Sequence, residues 1–173
     1  VSSEVVRLFL CPSETRTNAP PPIGVGLLSY LGVSGNDLNQ PTGVLFLNSA
    51  VKLGAIKDGA SNTIAMGERP PSPRMTMGWW YAGWGQNKTG SGDMILGVRE
   101  LNVHFPQCPP GPYAFTRGNL GDSCAAFYFW SLHPGGSNFV FADGAVRFLA
   151  YSADAILPAL ATRAGGEAVS DID

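Results

Sequence analysis

The sequence predicts an α+β domain dominated by antiparallel sheet, and three observations carry that expectation. Of 173 residues, 22 are Gly and 14 are Pro while only 14% are charged, the composition of a loop-rich β protein and not of a helical bundle. Residues 138–142 and 145–149 are β-favouring runs joined by Asp143-Gly144, a dipeptide suited to a tight hairpin. The other apolar runs are short and bounded by Gly, Pro or Asn-Asp turn signals, as strands are. With 45% hydrophobic residues the chain is long enough for one domain, 1–173, around a single core.

Residues 1–10 place Val6, Leu8 and Leu10 on one side and fit a strand or the end of a helix, which Pro12 stops. Pro20-Pro21-Pro22, within 15–26, has no backbone donors and fits a surface connection. The run 27–33 predicts a buried strand or a turn leading into one, 34–42 a loop, and 43–47 and 51–56 two further strands. Lys57-Asp58-Gly59 predicts a turn in which Ser61 and Asn62 bond nearby backbone, followed by a strand at 63–67. The alternative for Asp58, Ser61 and Asn62 is an oxygen cluster for a cation. Glu68-Arg69-Pro70-Pro71-Ser72-Pro73 then breaks the chain.

Trp79, Trp80, Tyr81 and Trp84 follow among glycines. Such rings serve as core or subunit interface, or they line a platform that stacks on sugar C–H faces while Gln86 or Asn87 bonds hydroxyls. Residues 95–98 predict another strand, and the aromatic run 125–132 a buried segment feeding the hairpin. In the hairpin a type I′ turn is expected at Asp143-Gly144, with Phe139 and Phe141 sharing a face. On the second strand Val146 and Phe148 share the face expected on the core, with Arg147 opposite. Ser152 as N-cap and Asp154 in a first turn predict a short helix at about 153–162, which Pro158 limits and Gly165-Gly166 end. Residues 169–173 form an acidic tail.

Eleven Lys and Arg against 13 Asp and Glu leave a net charge of −2, with no basic stripe to neutralise phosphates, so nucleic acid is excluded as a partner. No apolar run reaches the ~18 residues needed to span a bilayer. Low charge with many glycines and aromatics suits surfaces buried against other subunits. Cys108 and Cys124 flank a Pro/Gly-rich stretch that cannot fold on its own account, and a disulfide there would stabilise by about 3 kcal/mol in the chain-entropy model. That bridge is expected, and with it an oxidising compartment. Their spacing does not suit zinc. There is no G-x-S-x-G, H-E-x-x-H or phosphate loop, so no enzyme is expected. A metal enzyme would require His104 and His133 to converge with a carboxylate. His133 and Asp143 are separated by up to ~33 Å of extended chain, so their spacing alone defines no site.

The motifs nevertheless form a pattern. His133, nine residues, then Asp143-Gly144 resembles the H-x(9)-D-G domain of planctomycete prepilin-like, or pseudopilin-like, secreted proteins. Phe9-Leu10-Cys11-Pro12-Ser13-Glu14 is similar to that family's F-x-C-P-S-D/E segment, and Ser29-Tyr30-Leu31-Gly32-Val33-Ser34-Gly35 to its S-Y-x-G-x-x-G. Ile56 to Glu68, with Asp58, Gly59, Ser61, Asn62 and Thr63, resembles its I-x-D-G-x-S-N-T-x-x-x-G-E, and Ala159 to Glu167 its closing A-L-x-T-R-x-G-G-E.

The resemblance implies the globular head of a type IV pilin-like protein, exported through a leader and carried on an N-terminal helix, neither of which precedes Val1. It implies an extracellular or cell-surface, non-enzymatic structural subunit that self-associates into a filament, pseudopilus or homo-oligomer, touching membrane only through that helix. The alternative is a secreted carbohydrate-binding module using Trp79, Trp80, Tyr81 and Trp84. No cofactor is expected, save for calcium, which major pseudopilins hold in a C-terminal loop. Asp93, Asp122 and Asp143 are the candidate ligands, with Asp154, Glu167 and Asp171 as further hard oxygens, although none forms an EF-hand series. Cys11 either pairs with an upstream Cys, as relatives suggest, or is a buried free thiol.

Overall fold

The structure, a computed structural model, describes residues 2–16, 24–81 and 83–167. The Pro20–Pro22 connection, the acidic tail and Asp171 lie outside these residues. Five strands form one sheet: β1 (Tyr30–Gly35), β2 (Ile64–Glu68), β3 (Ile95–Gly97), β4 (Gly136–Phe141) and β5 (Val146–Ala150), in the order β3-β1-β2-β4-β5. All neighbours are antiparallel except β1 and β3, which run parallel. The α+β, mainly antiparallel class is therefore the observed one. Among the described residues, no helix is long and apolar enough to cross a membrane.

Alternation along the strands sends Leu31, Val33, Ile64, Leu96, Phe139, Phe141 and Leu149 to one face, where they bury completely or nearly so. Phe115, Phe129, Leu157 and Leu160 cover them from the far side and complete the main core. Gly67 is required at its position, because a Cβ there would lie 2.5 Å from the Phe139 ring. A register shift between Ile64 and Met66 lets both Ile64 and Phe141 face inward. The 3₁₀ segment Tyr151–Ile156 leads into α1 (Leu157–Ala161), which lays Leu157 and Leu160 on the sheet.

Several expectations need correction. Within the expected 1–10 run, the described residues 2–10 form neither a strand nor a helix end but a 3₁₀ turn at Arg7–Phe9. The runs 43–47 and 51–56 are not strands. Gly43 lies flush against β1, where a Cβ would meet the Val33 carbonyl at 2.5 Å, and Leu53–Ala55 is a 3₁₀ turn. Ser152 caps nothing; Ala150 and Ile156 hold the two N-cap positions, and Pro158 lies in the first turn of α1. Asp154 does lie in a first turn, that of the 3₁₀ segment, where it also pairs with Arg99 at 2.7 Å and accepts from the Phe115 amide at 2.6 Å.

The hairpin turn is also different. Gly144 N–H donates to Phe141 O and Phe141 N–H to Ala145 O, and Gly144 alone has positive φ (+88°), which makes a type I turn with a glycine bulge and not type I′. Asp143 stays in ordinary backbone space and accepts the Ala145 amide at 2.9 Å. Because Phe139 pairs with Arg147, Arg147 falls on the core side, its guanidinium 4.4 Å over the Phe141 ring. Val146 and Phe148 face the other way and are 64% and 50% exposed.

Candidate functional site

The motif segments meet in two places, one at each end of β4. At the hairpin end, the Asp58 carboxylate accepts from the amides of Gly165 (2.7 Å) and Gly166 (2.9 Å) and from the Thr162 hydroxyl (3.3 Å). The Asn62 side-chain amide donates to Asp58 O, and the Thr63 hydroxyl to Gly59 O and Thr162 O. Asp143 N–H donates to Ala60 O and Ala142 N–H to Thr63 O, so this turn binds the hairpin tip to the C-terminal segment. Ser61 is exposed beside it. With its oxygens taken by backbone donors, Asp58 acts as a knot between segments.

At the other end, three segments bring Cys11, Glu68 and His133 together. Phe9 O accepts the Ser29 amide and the Trp80 indole donates to Glu4 O (2.8 Å), which docks residues 2–16 against the sheet and carries Cys11 with them. Cys11 Sγ lies 3.7 Å from His133 Nε2, and Glu68 Oε1 lies 3.3 Å from the same nitrogen. Asn138 holds the other carboxylate oxygen, Oε2, through its backbone N–H (2.7 Å) and side-chain amide (3.2 Å), with the Ser137 hydroxyl at 3.3 Å. Ser131 Oγ accepts His133 N–H and donates to Gly136 O, which fixes the His loop.

Burial, reinforced by the neighbouring Cys11 and Glu68, pushes the Tyr30 pKa up to about 12. Glu68 and His133 are single residues within two of the motifs, and Cys11 and Tyr30 belong to two others. Sequence reasoning missed that the four face one another. The motifs hold several polar residues each, so no local signal singled these out.

Beside this cluster the second face of the sheet is partly open: Leu45 packs over Gly32, while Val146 and Phe148 stand exposed at the β5 end. Ile95 pairs with Gly32, Gly32 with Met66, Met66 with Val140 and Val140 with Val146, an apolar row across all five strands. A second row runs Tyr30, Glu68, Asn138, Phe148. Leu45 and Phe46 form one wall and Leu8, Phe9 and Trp80 another around a groove of about 820 Å³.

Other predicted residues lie elsewhere. His133 does not reach Asp143, which sits at the far end of β4, and His104 accepts the Asn87 amide (3.3 Å) in a separate loop. Cys108 and Cys124 are disulfide-bonded, with Cα atoms 5.5 Å apart. Among the calcium candidates, Asp93 is buried and accepts from Gly85 (2.7 Å) and Gly78 (3.2 Å); burial raises its pKa although Arg69 lies beside it. Its own burial lowers the pKa of the enclosed Arg69 to about 10, against the raising effect of Asp93. Asp122 accepts the Cys124 amide, so Asp93, Asp122 and Asp143 serve three separate turns. Trp79 donates to Met75 O, Trp80 packs against Phe9 and Tyr81, and Trp84 projects outward under Lys88.

No curated protein matches the chain, and neither does any solved structure. A family model described as a protein of unknown function, DUF1559, matches residues 2–155, which contain the open face and the Cys11–Glu68–His133 cluster. The chain belongs to that family.

Proposed function

We propose that the chain is the non-enzymatic head of a structural subunit that assembles through the open face of its sheet. The observation that carries this reading is the apolar row Ile95, Gly32, Met66, Val140, Val146, with Phe148 beside it. Phe115, Phe129 and α1 cover one face of the sheet, whereas exposed apolar side chains on the other leave apolar area for a second layer to bury. A contiguous apolar surface of this kind marks an interaction site.

Five strands span about 19 Å from first to last, the length of roughly 13 residues of α-helix. The resemblance to prepilin-like proteins supplies the matching occupant, an apolar helix from the same subunit or a neighbour, in an extracellular filament or pseudopilus. Electron microscopy of native material tests this. Regular filaments that Val146→Asp and Phe148→Asp abolish are expected; dispersed single chains would reject the reading.

A second reading, a glycan-binding module, draws on the exposure of Tyr81 and Trp84. Soluble glycans that quench tryptophan fluorescence, with the effect lost in Trp84→Ala, would favour it.

A further inference from the structure

Cys11, Glu68 and His133 present three different ligand atoms to one point. Sγ, Nε2 and Oε1 all lie within 4.8 Å of one another, with Sγ to Nε2 at 3.7 Å and Nε2 to Oε1 at 3.3 Å. A tetrahedral zinc ion with ordinary Zn–S, Zn–N and Zn–O bonds would hold S and N about 3.6 Å apart and N and O about 3.4 Å apart. The observed separations lie close to both.

Two other accounts of the cluster fit less well. In a thiol–imidazole–carboxylate catalytic triad the nucleophile and the carboxylate engage opposite ring nitrogens. Here both approach Nε2, and Cys11 is only 6% exposed, poorly placed to attack a substrate. Hard cations such as Ca²⁺ take oxygen ligands, and this set holds sulfur and nitrogen.

We infer that Cys11, Glu68 and His133 form a three-ligand site for a borderline-soft divalent cation, with Zn²⁺ the ion that fits. The supporting contacts are those of a prepared site. Asn138 and Ser137 hold Glu68 Oε2 so that Oε1 faces the imidazole. The His133 side chain is 32% exposed while that of Glu68 is 5% exposed, so the fourth coordination position opens on the His133 side, to water or an incoming side chain. Binding converts the Cys11 thiol to thiolate and releases its proton to solvent. The ion pins residues 2–16 to the end of β2 and the entry to β4. This inference stands apart from the assembly reading, and its failure leaves the open face untouched.

The test uses the full chain with its disulfide intact, stripped with chelator and titrated with Zn²⁺ by calorimetry and with Co²⁺ by absorbance. One equivalent of each ion is expected, with a sulfur-to-cobalt charge-transfer band that Cys11→Ser removes. His133→Gln, checked for folding by near-ultraviolet circular dichroism, should weaken Zn²⁺ by at least the about 10- to 100-fold that loss of a supporting contact costs. His104→Gln should leave binding unchanged. No saturable uptake, uptake indifferent to Cys11→Ser and His133→Gln, or a native chain with Cys11 in a disulfide would each overturn the inference.

Discussion

The two faces of the sheet share a backbone and differ in everything else. On the inner face Phe139 and Phe141 are buried under Phe115, Phe129 and α1; on the outer face Val146 and Phe148, only a few residues along the hairpin, stand in the open. The inner face is where the chain stabilises itself, since each buried aromatic removes apolar area from water within the same molecule. The outer face contributes little to the isolated domain, and its apolar character has meaning only if something else covers it.

That contrast yields graded expectations. Phe139→Ala, at the centre of the inner face, should cost about 3–5 kcal/mol by denaturant titration, and a cost near that of a surface substitution would break the distinction. Gly67→Ala adds a methyl 2.5 Å from the Phe139 ring and should cost about 1–3 kcal/mol through overpacking.

A pH series gives a smaller effect. Burial raises the Glu100 pKa above 4.5, outweighing its bonds from Gly97, Leu101, Ser91 and Leu38. The folded state thus keeps this proton where the unfolded state has lost it. Its contribution to stability is full below the unfolded value and is lost as pH rises to the folded one. Glu100→Gln should abolish that slope, and an unchanged slope would locate the effect elsewhere. Smallest in stability is Phe148→Asp, expected within about 0.5 kcal/mol because the residue is half exposed. The same change should have the largest effect on assembly.

The inner face was legible in the sequence because strand alternation and turn chemistry are local. Phe139, Phe141 and strands at 63–67 and 95–98 follow from runs of a few residues bounded by turn formers, and the run 27–33 marks β1, although that strand starts at Tyr30 and continues through Ser34 and Gly35, which the sequence assigns to a loop. The hairpin misled at one point. Its second strand offers Val146 and Phe148 as the apolar face, yet the glycine bulge sets the register so that Arg147 and Leu149 face the core. The runs 43–47 and 51–56 have strand-like composition, yet the first only touches β1 through the Gly43 and Leu45 amides on Ser34 O and Val33 O, and the second bonds within its own 3₁₀ turn, because pairing is a property of the fold.

The Cys11–Glu68–His133 cluster was the least legible, since 122 residues separate Cys11 from His133 and no spacing rule connects them. The Asp58 knot was half legible. Its turn was foreseen, but its closure on Gly165 and Gly166 depends on where α1 ends.

The most direct measurement is hydroxyl-radical footprinting of Met66, Val146 and Phe148, read by mass spectrometry, in native material and in the isolated chain. An assembling outer face predicts strong protection of all three in native material and ready oxidation of Val146 and Phe148 in the isolated chain. Equal oxidation in both preparations, with the Phe139 ring protected throughout, would contradict it.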